Sequence, residues 1–306
     1  MSEHEARESP RVDVRTATHA RAWRELALLG AVYLLYTQTR LLTGGSHEQA
    51  MSNARAVLKA ERGLGLAPER WLNHLFSARQ YLAIPSDYAY ASLHYVVTLA
   101  VVIWLWRAHP RAYLAGRRTL VTATLVALLG YWLLPLAPPR MLPGFVDTMA
   151  RYGGYGWWGD SASAPKGLGA LTNQLAAMPS LHVGWAIWCG WQLWRHAKHG
   201  ISRTFGVVYP LLAVVVVIGT GNHYLADAVA GLVVLLVGGV LTRFGTSLWR
   251  RFRRALPESP VPVPEQRVSD VCSLTKPGRA QASAARVARA GGGTTTTGHD
   301  ACATQR

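Results

Sequence analysis

Two histidines and an aspartate stand where the chain is otherwise apolar. His223 and Asp227 lie in GTGNHYLADAVAG, between PLLAVVVVI and LVVLLVGGVL, and His182 lies in AAMPSLHVGWAIW. Ionisable groups inside membrane-spanning segments are costly and are functional by default. At i and i+4, His223 and Asp227 share one helix face. A carboxylate there accepts a hydrogen bond from one ring nitrogen, which fixes the tautomer and leaves the other nitrogen to attack or to take a proton. A lone histidine also serves helix packing by bonding a neighbour, so His182 gains weight from its company. Arg140, in LAPPRML, is part of that company: its guanidinium matches phosphate with bidentate donors, although a lone interfacial arginine can simply snorkel. A nucleophilic histidine, a second histidine acting as acid and then base, and a cationic clamp suit phosphoryl transfer, which needs mainly positioning and charge stabilisation.

The elements that position these groups follow from hydropathy. Half of the 306 residues are apolar, only 16% are charged, and the charges fall between long apolar runs. That is the pattern of an all-α, polytopic membrane protein. Six spans are expected: Trp23–Leu42, Ile84–Trp106, Leu120–Leu136, Pro179–Trp194, Phe205–Gly219 and Tyr224–Leu241. Residues 1–22 read as a polar, basic N-terminus, 23–243 as a six-transmembrane-helix catalytic bundle, and 244–306 as a basic segment running into a disordered tail. The tail, with PESPVPVPEQ and GGGTTTTGHD, has too few large apolar residues to bury a core. No cleavable signal peptide is expected, because the first twenty-odd residues are polar and partly acidic.

The net charge of +16 does not point to nucleic acid: the arginines flank spans and form no aromatic-interleaved groove. Arg15, Arg21 and Arg24, then Arg107 to Arg118, Arg195 to Arg203 and Arg243 to Arg254 all fall on one side. By the positive-inside rule that side is the cytoplasm, which also holds both termini of this cell-membrane protein. The loop Gly44–Ala83 dissents with five basic residues, and long loops obey the rule less well. Within it, Ala50, Ala54, Val57 and Leu58 mark one face of a helix ended by Gly63 and Gly65, expected to lie on the outer surface. The three cysteines, Cys189, Cys272 and Cys302, show neither metal-ligand spacing nor a disulfide framework. No metal site and no cofactor are expected.

On this topology Arg140 closes span three, His182 opens span four and His223 opens span six, so three distant segments converge on an outer-face active site. The first turn of span four adds backbone N–H groups and a dipole favourable to phosphate. Asp87 and His94, seven apart in span two, share a face toward the same side and are candidates for the substrate pocket, with helix packing as the plainer alternative.

These residues also carry a resemblance. NQLAAMPSLHVGWA and GNHYLADAVAG resemble the second and third signature motifs of the type 2 phosphatidic acid phosphatase superfamily, and PLAPPRMLP resembles the first. The PSLH form and the H-Y-x-x-D-x-x-x-G form are similar to its inositol phosphorylceramide synthase-like branch. The resemblance covers about Ala50 to Leu241. It implies metal-independent transfer through a phosphohistidine on His223, oriented by Asp227. His182 would protonate the leaving group, and Arg140 and Ser180 would bind phosphate. Two phosphate-binding cations of the family pattern are replaced here by Leu133 and Val217, and Leu181 stands where a glycine is usual. Lys166 and Arg151 in the outer loop are candidates to replace the cations; both also read as solvated loop charges.

The leading expectation is thus a membrane lipid phosphatase or phosphotransferase. Its substrate would be a membrane lipid phosphate, and its acceptor water or an alcohol such as inositol. A transporter-like bundle with a His/Asp proton relay is the rival, and a non-catalytic member of the family a third reading. A relay places ionisable groups through the bilayer depth, whereas the principal ones here gather at one face.

Overall fold

The computed structural model of the chain describes residues 46–158 and 174–255 and scattered positions between 23 and 34. Residues 1–22, Lys166, Cys272, Cys302, nearly all of the tail and most of the expected first span lie outside the described residues. The chain divides into two units, Met1–Arg254 and Ala255–Arg306, and the candidate site lies in the first.

Ser46 starts α1 (His47–Gly63), its hydroxyl accepting from Gln49 N at 3.1 Å, the usual N-cap arrangement. Gly65 follows at φ +70°, so the helix stops where the sequence expects it to. Its apolar face, Ala50, Ala54 and Leu58, is buried rather than free to lie on a membrane surface. It packs on protein, against Leu136, Ala137, Leu142 and Tyr224. Two further short helices lie outside the spans: α2 (Glu69–Ser77) and α5 (Thr148–Arg151).

Among the described residues, four helices are long and apolar enough to cross a membrane. They are α3 (Gln80–Ala108), α4 (Pro110–Leu133), α7 (Gly200–Gly219) and Leu225–Arg254 within α8 (Leu225–Ala255). They correspond to the expected second, third, fifth and sixth spans, with boundaries moved into the polar flanks. Proline sets two of these boundaries. Pro110 opens α4, where its missing N–H costs nothing, and Pro135 follows close on its end. The expected fourth span is α6 (Leu181–His196), 16 residues long. That is shorter than the roughly 20 a bilayer core needs.

Glycine sets how closely α6 meets its neighbours. A methyl on Gly190 would lie 2.2 Å from the Gly206 carbonyl oxygen of α7. A methyl on Gly231 of α8 would lie 2.4 Å from the Ser180 carbonyl oxygen at the head of α6. Main chains therefore touch at both contacts, as small residues permit in membrane bundles. Larger side chains fill the remaining interior with their polar atoms satisfied: Trp188 donates to Gly116 O at 3.0 Å and Trp185 to Thr124 at 3.1 Å.

The bundle has two distinct ends. His109, at the α3–α4 turn, and His196, at the end of α6, have ring centroids 5.6 Å apart, so the basic loops share one end. The heads of α6 and α8, with His182 and His223, lie at the other.

Candidate active site

The segment Thr220–Tyr224 turns the chain from α7 into α8 and carries His223. Gly221 sits there at φ +74°, and a methyl on it would meet Asn73 Nδ2 at 2.9 Å, so glycine is required. Asn73 of α2 clips three strands of chain together: Nδ2 donates to Val146 O at 2.9 Å and Gly219 O at 3.2 Å, and Oδ1 accepts from Val146 N at 2.8 Å. The site loop is thus fastened on both sides by fully paired polar groups, which rigidifies it.

His223 is 4% exposed. Its Nδ1 lies 3.0 Å from Ala177 O and 3.2 Å from Asp227 Oδ2. A carbonyl oxygen only accepts, so Nδ1 carries the hydrogen and Nε2 carries the lone pair. The main chain alone fixes this tautomer; Asp227 adds charge and orientation. Asp227, fully buried, also accepts from Tyr224 N at 2.9 Å, and its carbonyl accepts from Ser180 N at 2.9 Å. That last bond ties the head of α6 to α8.

His182, the second residue of α6, has its ring centroid 5.6 Å from that of His223. The sequence-predicted pair therefore meets. Around it is an aromatic group of which sequence reading found only half. Tyr90 stacks on His182 at 4.4 Å with planes 14° apart, and His94 lies 4.0 Å from His182. Tyr90 and His94, four apart, reach one ring from within and just after Ala89–Leu93, where α3 makes a π-turn, a local widening often found at functional sites. The same widening ends the expected alignment of His94 with Asp87. Asp87, fully buried, instead accepts from Thr148 Oγ1 at 2.6 Å, and Thr220 O lies 3.3 Å from the same hydroxyl. Asp87 therefore braces α3 against α5 and the site loop.

Arg140 arrives beside the loop as expected. Its N–H donates to Gly221 O at 2.8 Å and its guanidinium to Asn222 Oδ1, and Nε lies 3.2 Å from Asp147 Oδ2. The guanidinium is held in place and partly neutralised before any phosphate is present. Asn222, next to His223 in sequence, was missed; its amide also donates to Thr220 Oγ1 at 2.9 Å. Ser180 is fully buried and its hydroxyl accepts from Val183 N at 3.4 Å, so it caps α6. Arg151 is exposed, with its guanidinium over the Tyr152 ring at 5.9 Å, and is not brought to the histidines. Lys166 lies outside the described residues. Among the described residues no group of three His, Cys, Asp or Glu side chains is placed to hold a metal ion.

Two other carboxyls sequence reading passed over, Glu61 and Glu69, reach the first turn of α8: Ala226 N donates to Glu61 at 2.6 Å and Leu225 N to Glu69 at 3.0 Å. Neither has a sequence signal, since each is an ordinary helix-surface glutamate until α1 and α2 fold against α8.

No curated protein and no solved structure matches the chain. A family profile does: that of the PAP2 superfamily matches residues 55–241, more than half of the chain and every residue of the histidine site. With apolar helices of spanning length and this site at one end of them, the chain belongs to the PAP2 superfamily of membrane phosphatases and phosphotransferases.

Proposed function

We propose that the protein transfers a phosphoryl or phospho-headgroup from a membrane lipid through a phosphohistidine on His223. The observation that carries this is the pinned ring of His223: Ala177 O and Asp227 hold Nδ1, so Nε2 is the nucleophilic atom. Nε2 attacks phosphorus, the bond to the lipid oxygen breaks, and His182 gives that oxygen a proton. In the second step His182 takes a proton from the acceptor hydroxyl, whose oxygen attacks phosphorus and releases Nε2. Arg140 and the N-terminal N–H groups of α6 face the growing charge on the phosphoryl oxygens. The acceptor is water or an alcohol such as inositol or a glycolipid hydroxyl.

The test is a panel of labelled lipid phosphates supplied to purified protein with and without inositol. An acid-labile, alkali-stable phosphoenzyme is expected in wild type and missing in His223→Asn. Product formation that survives His223→Asn sinks the phosphohistidine. A headgroup product that appears only with inositol selects the transferase.

We also propose that the site faces the outer side. Tyr155, 56% exposed, lies at the site end, and Lys198 lies exposed at the basic end. In a background without native cysteines, an impermeant thiol reagent added to intact cells should label Tyr155→Cys and spare Lys198→Cys. The opposite pattern puts the site on the cytoplasmic side.

A further inference from the structure

A helix begins with backbone N–H groups that have no partner of their own. Three consecutive ones at the head of α8 are each taken by a carboxyl. Tyr224 N donates to Asp227 Oδ2 at 2.9 Å, Leu225 N to Glu69 Oε1 at 3.0 Å and Ala226 N to Glu61 Oε1 at 2.6 Å. The first cap is local, whereas the other two come from α1 and α2, far back in the chain. Glu69 is fully buried and Glu61 is 6% exposed. The second oxygens of both are also buried. As two carboxylates these oxygens have no partner. A single added proton gives the pair a donor, and the two side chains then hydrogen-bond each other.

No cation is there to do the same task. Among the described residues neither glutamate joins an ion pair. Glu69 of α2 and Asp227 of α8 are the charges that act on Glu61, and His223 and Tyr224 complete the titratable groups of the adjoining loop. Arg62 is exposed, and Arg70 is drawn away to Pro143 O and the Phe145 ring. On its remaining side Glu61 borders an apolar groove of about 670 Å³ with Leu129 and Leu133 of α4 and Val229 of α8 in its wall.

We propose that Glu61 and Glu69 share one proton and so form a clamp on the first turn of α8, positioning His223 and Asp227, and that loss of this proton opens the clamp and slows transfer at alkaline pH. This rests on the phosphoryl-transfer reading above. With the proton, the pair carries one negative charge, which suits a helix N-terminus. Without it, two carboxylates face each other in a poorly hydrated site and repel. They must separate, and the N–H groups of Leu225 and Ala226 lose their acceptors. Burial, foremost, pushes the Glu61 carboxyl up to about 8, the N–H of Ala226 opposes this, and the charges of Glu69 and Asp227 add to it.

The linkage has a definite sign. Unfolded, Glu61 ionises near its ordinary value of 4.5; folded, it keeps its proton to about pH 8. The unfolded chain therefore releases a proton that the folded one retains. Folding stability falls as pH rises between those values and is level above the upper one.

The experiment compares full-length wild type, Glu61→Gln and Glu61→Ala in detergent, with a short-chain lipid phosphate as substrate. In Glu61→Gln the amide donates to Glu69 and its oxygen still accepts from Ala226, so the clamped, singly charged state becomes permanent. Wild-type turnover should fall about tenfold per pH unit above pH 8. Glu61→Gln should carry that limb upward by at least about one unit, since a neighbouring charge moves a titration by about one to three units. Glu61→Ala should lose turnover at every pH. Thermal midpoints between pH 5 and 9 supply a readout free of activity: wild type should drop toward pH 8 more steeply than Glu61→Gln. An alkaline limb in Glu61→Gln identical to wild type overturns the positioning role. A melting series with the wild-type slope overturns proton sharing. If no lipid phosphate is turned over, the functional reading fails by itself and the melting series still decides the clamp. Glu69→Gln takes the place of Glu61→Gln if the latter does not fold.

Discussion

At the site end of the bundle, Glu61, Glu69, Asp87 and Asp227 are buried, and each bonds main chain or a neighbouring hydroxyl. At the other end, Arg107, Arg111, Arg195, Lys198 and Arg243 are exposed. The ion pair found there, Arg117 with Glu25, joins α4 to a residue near the N-terminus. The same class of side chain thus does two different tasks. Buried carboxyls without cations fix geometry, because each bonds a buried backbone N–H or hydroxyl that would be costly to leave unpaired. Exposed cations fix little geometry, Arg203 being one that does, with Nε donating to Ala197 O at 3.0 Å, and in membrane bundles such charges weigh mainly by their sum. Sensitivity to substitution should therefore be concentrated at one end.

The strongest test of that contrast is chemical. His223→Asn and His182→Asn should each lower turnover by at least about 10³-fold, within the range expected for a lost nucleophile or general acid, while each variant keeps its melting temperature. A loss under about tenfold at His182, below the usual share of an acid catalyst, removes it from that role. Next comes Gly231→Ala, whose new methyl must push α8 from Ser180 O. A displacement near 1 Å costs on the order of 10²-fold in turnover, and the loss should appear in kcat more than in KM. Gly190→Ala is the matching change at the α6–α7 contact. It should lower the melting temperature with a much smaller loss of turnover per folded molecule, and equal losses would erase the distinction between the two contacts.

Asp227→Asn should cost less, about 10- to 10²-fold. Triads that lose their tautomer with the carboxylate fall by about 10⁴-fold, and here Ala177 O keeps the tautomer. A loss as large as that of His223→Asn would mean the carbonyl does not hold the ring. Smallest of all, Arg195→Ala at the basic end should leave stability within about 0.5 kcal/mol, as for surface sites generally, and turnover unchanged. A marked loss of turnover there breaks the contrast.

Much of the site was legible in the sequence because intramembrane histidines and their spacing stand out against an apolar background. Arg140, His182, His223 and Asp227 were each visible that way, and the structure brings all four to one end. The braces were not legible. Glu61, Glu69 and Asn73 are polar residues in polar segments, and only the folding of α1 and α2 onto the loop buries them. Asn222 had a weak signal, adjacency to His223, that carries no direction without the turn at Gly221. Helix length was underestimated because hydropathy ends where polar first turns begin, although hydrogen bonding does not. The pairing of Asp87 with His94 assumed a uniform helix, and the π-turn removed that assumption.

That π-turn makes α3 a geared shaft rather than a plain rod. A π-turn is a helix holding one residue more than its α-helical winding requires. Deletion of a single residue within Ala89–Leu93 restores ordinary winding and leaves the residues beyond it on their present faces, because the turn already spends one residue more on the same rotation. A deletion farther along, between Leu93 and Val101, has no such slack and turns everything beyond it by about 100°, so Leu105, now in the interior, would swing toward the surface. Along α3 the place where a residue is lost matters more than which residue it is.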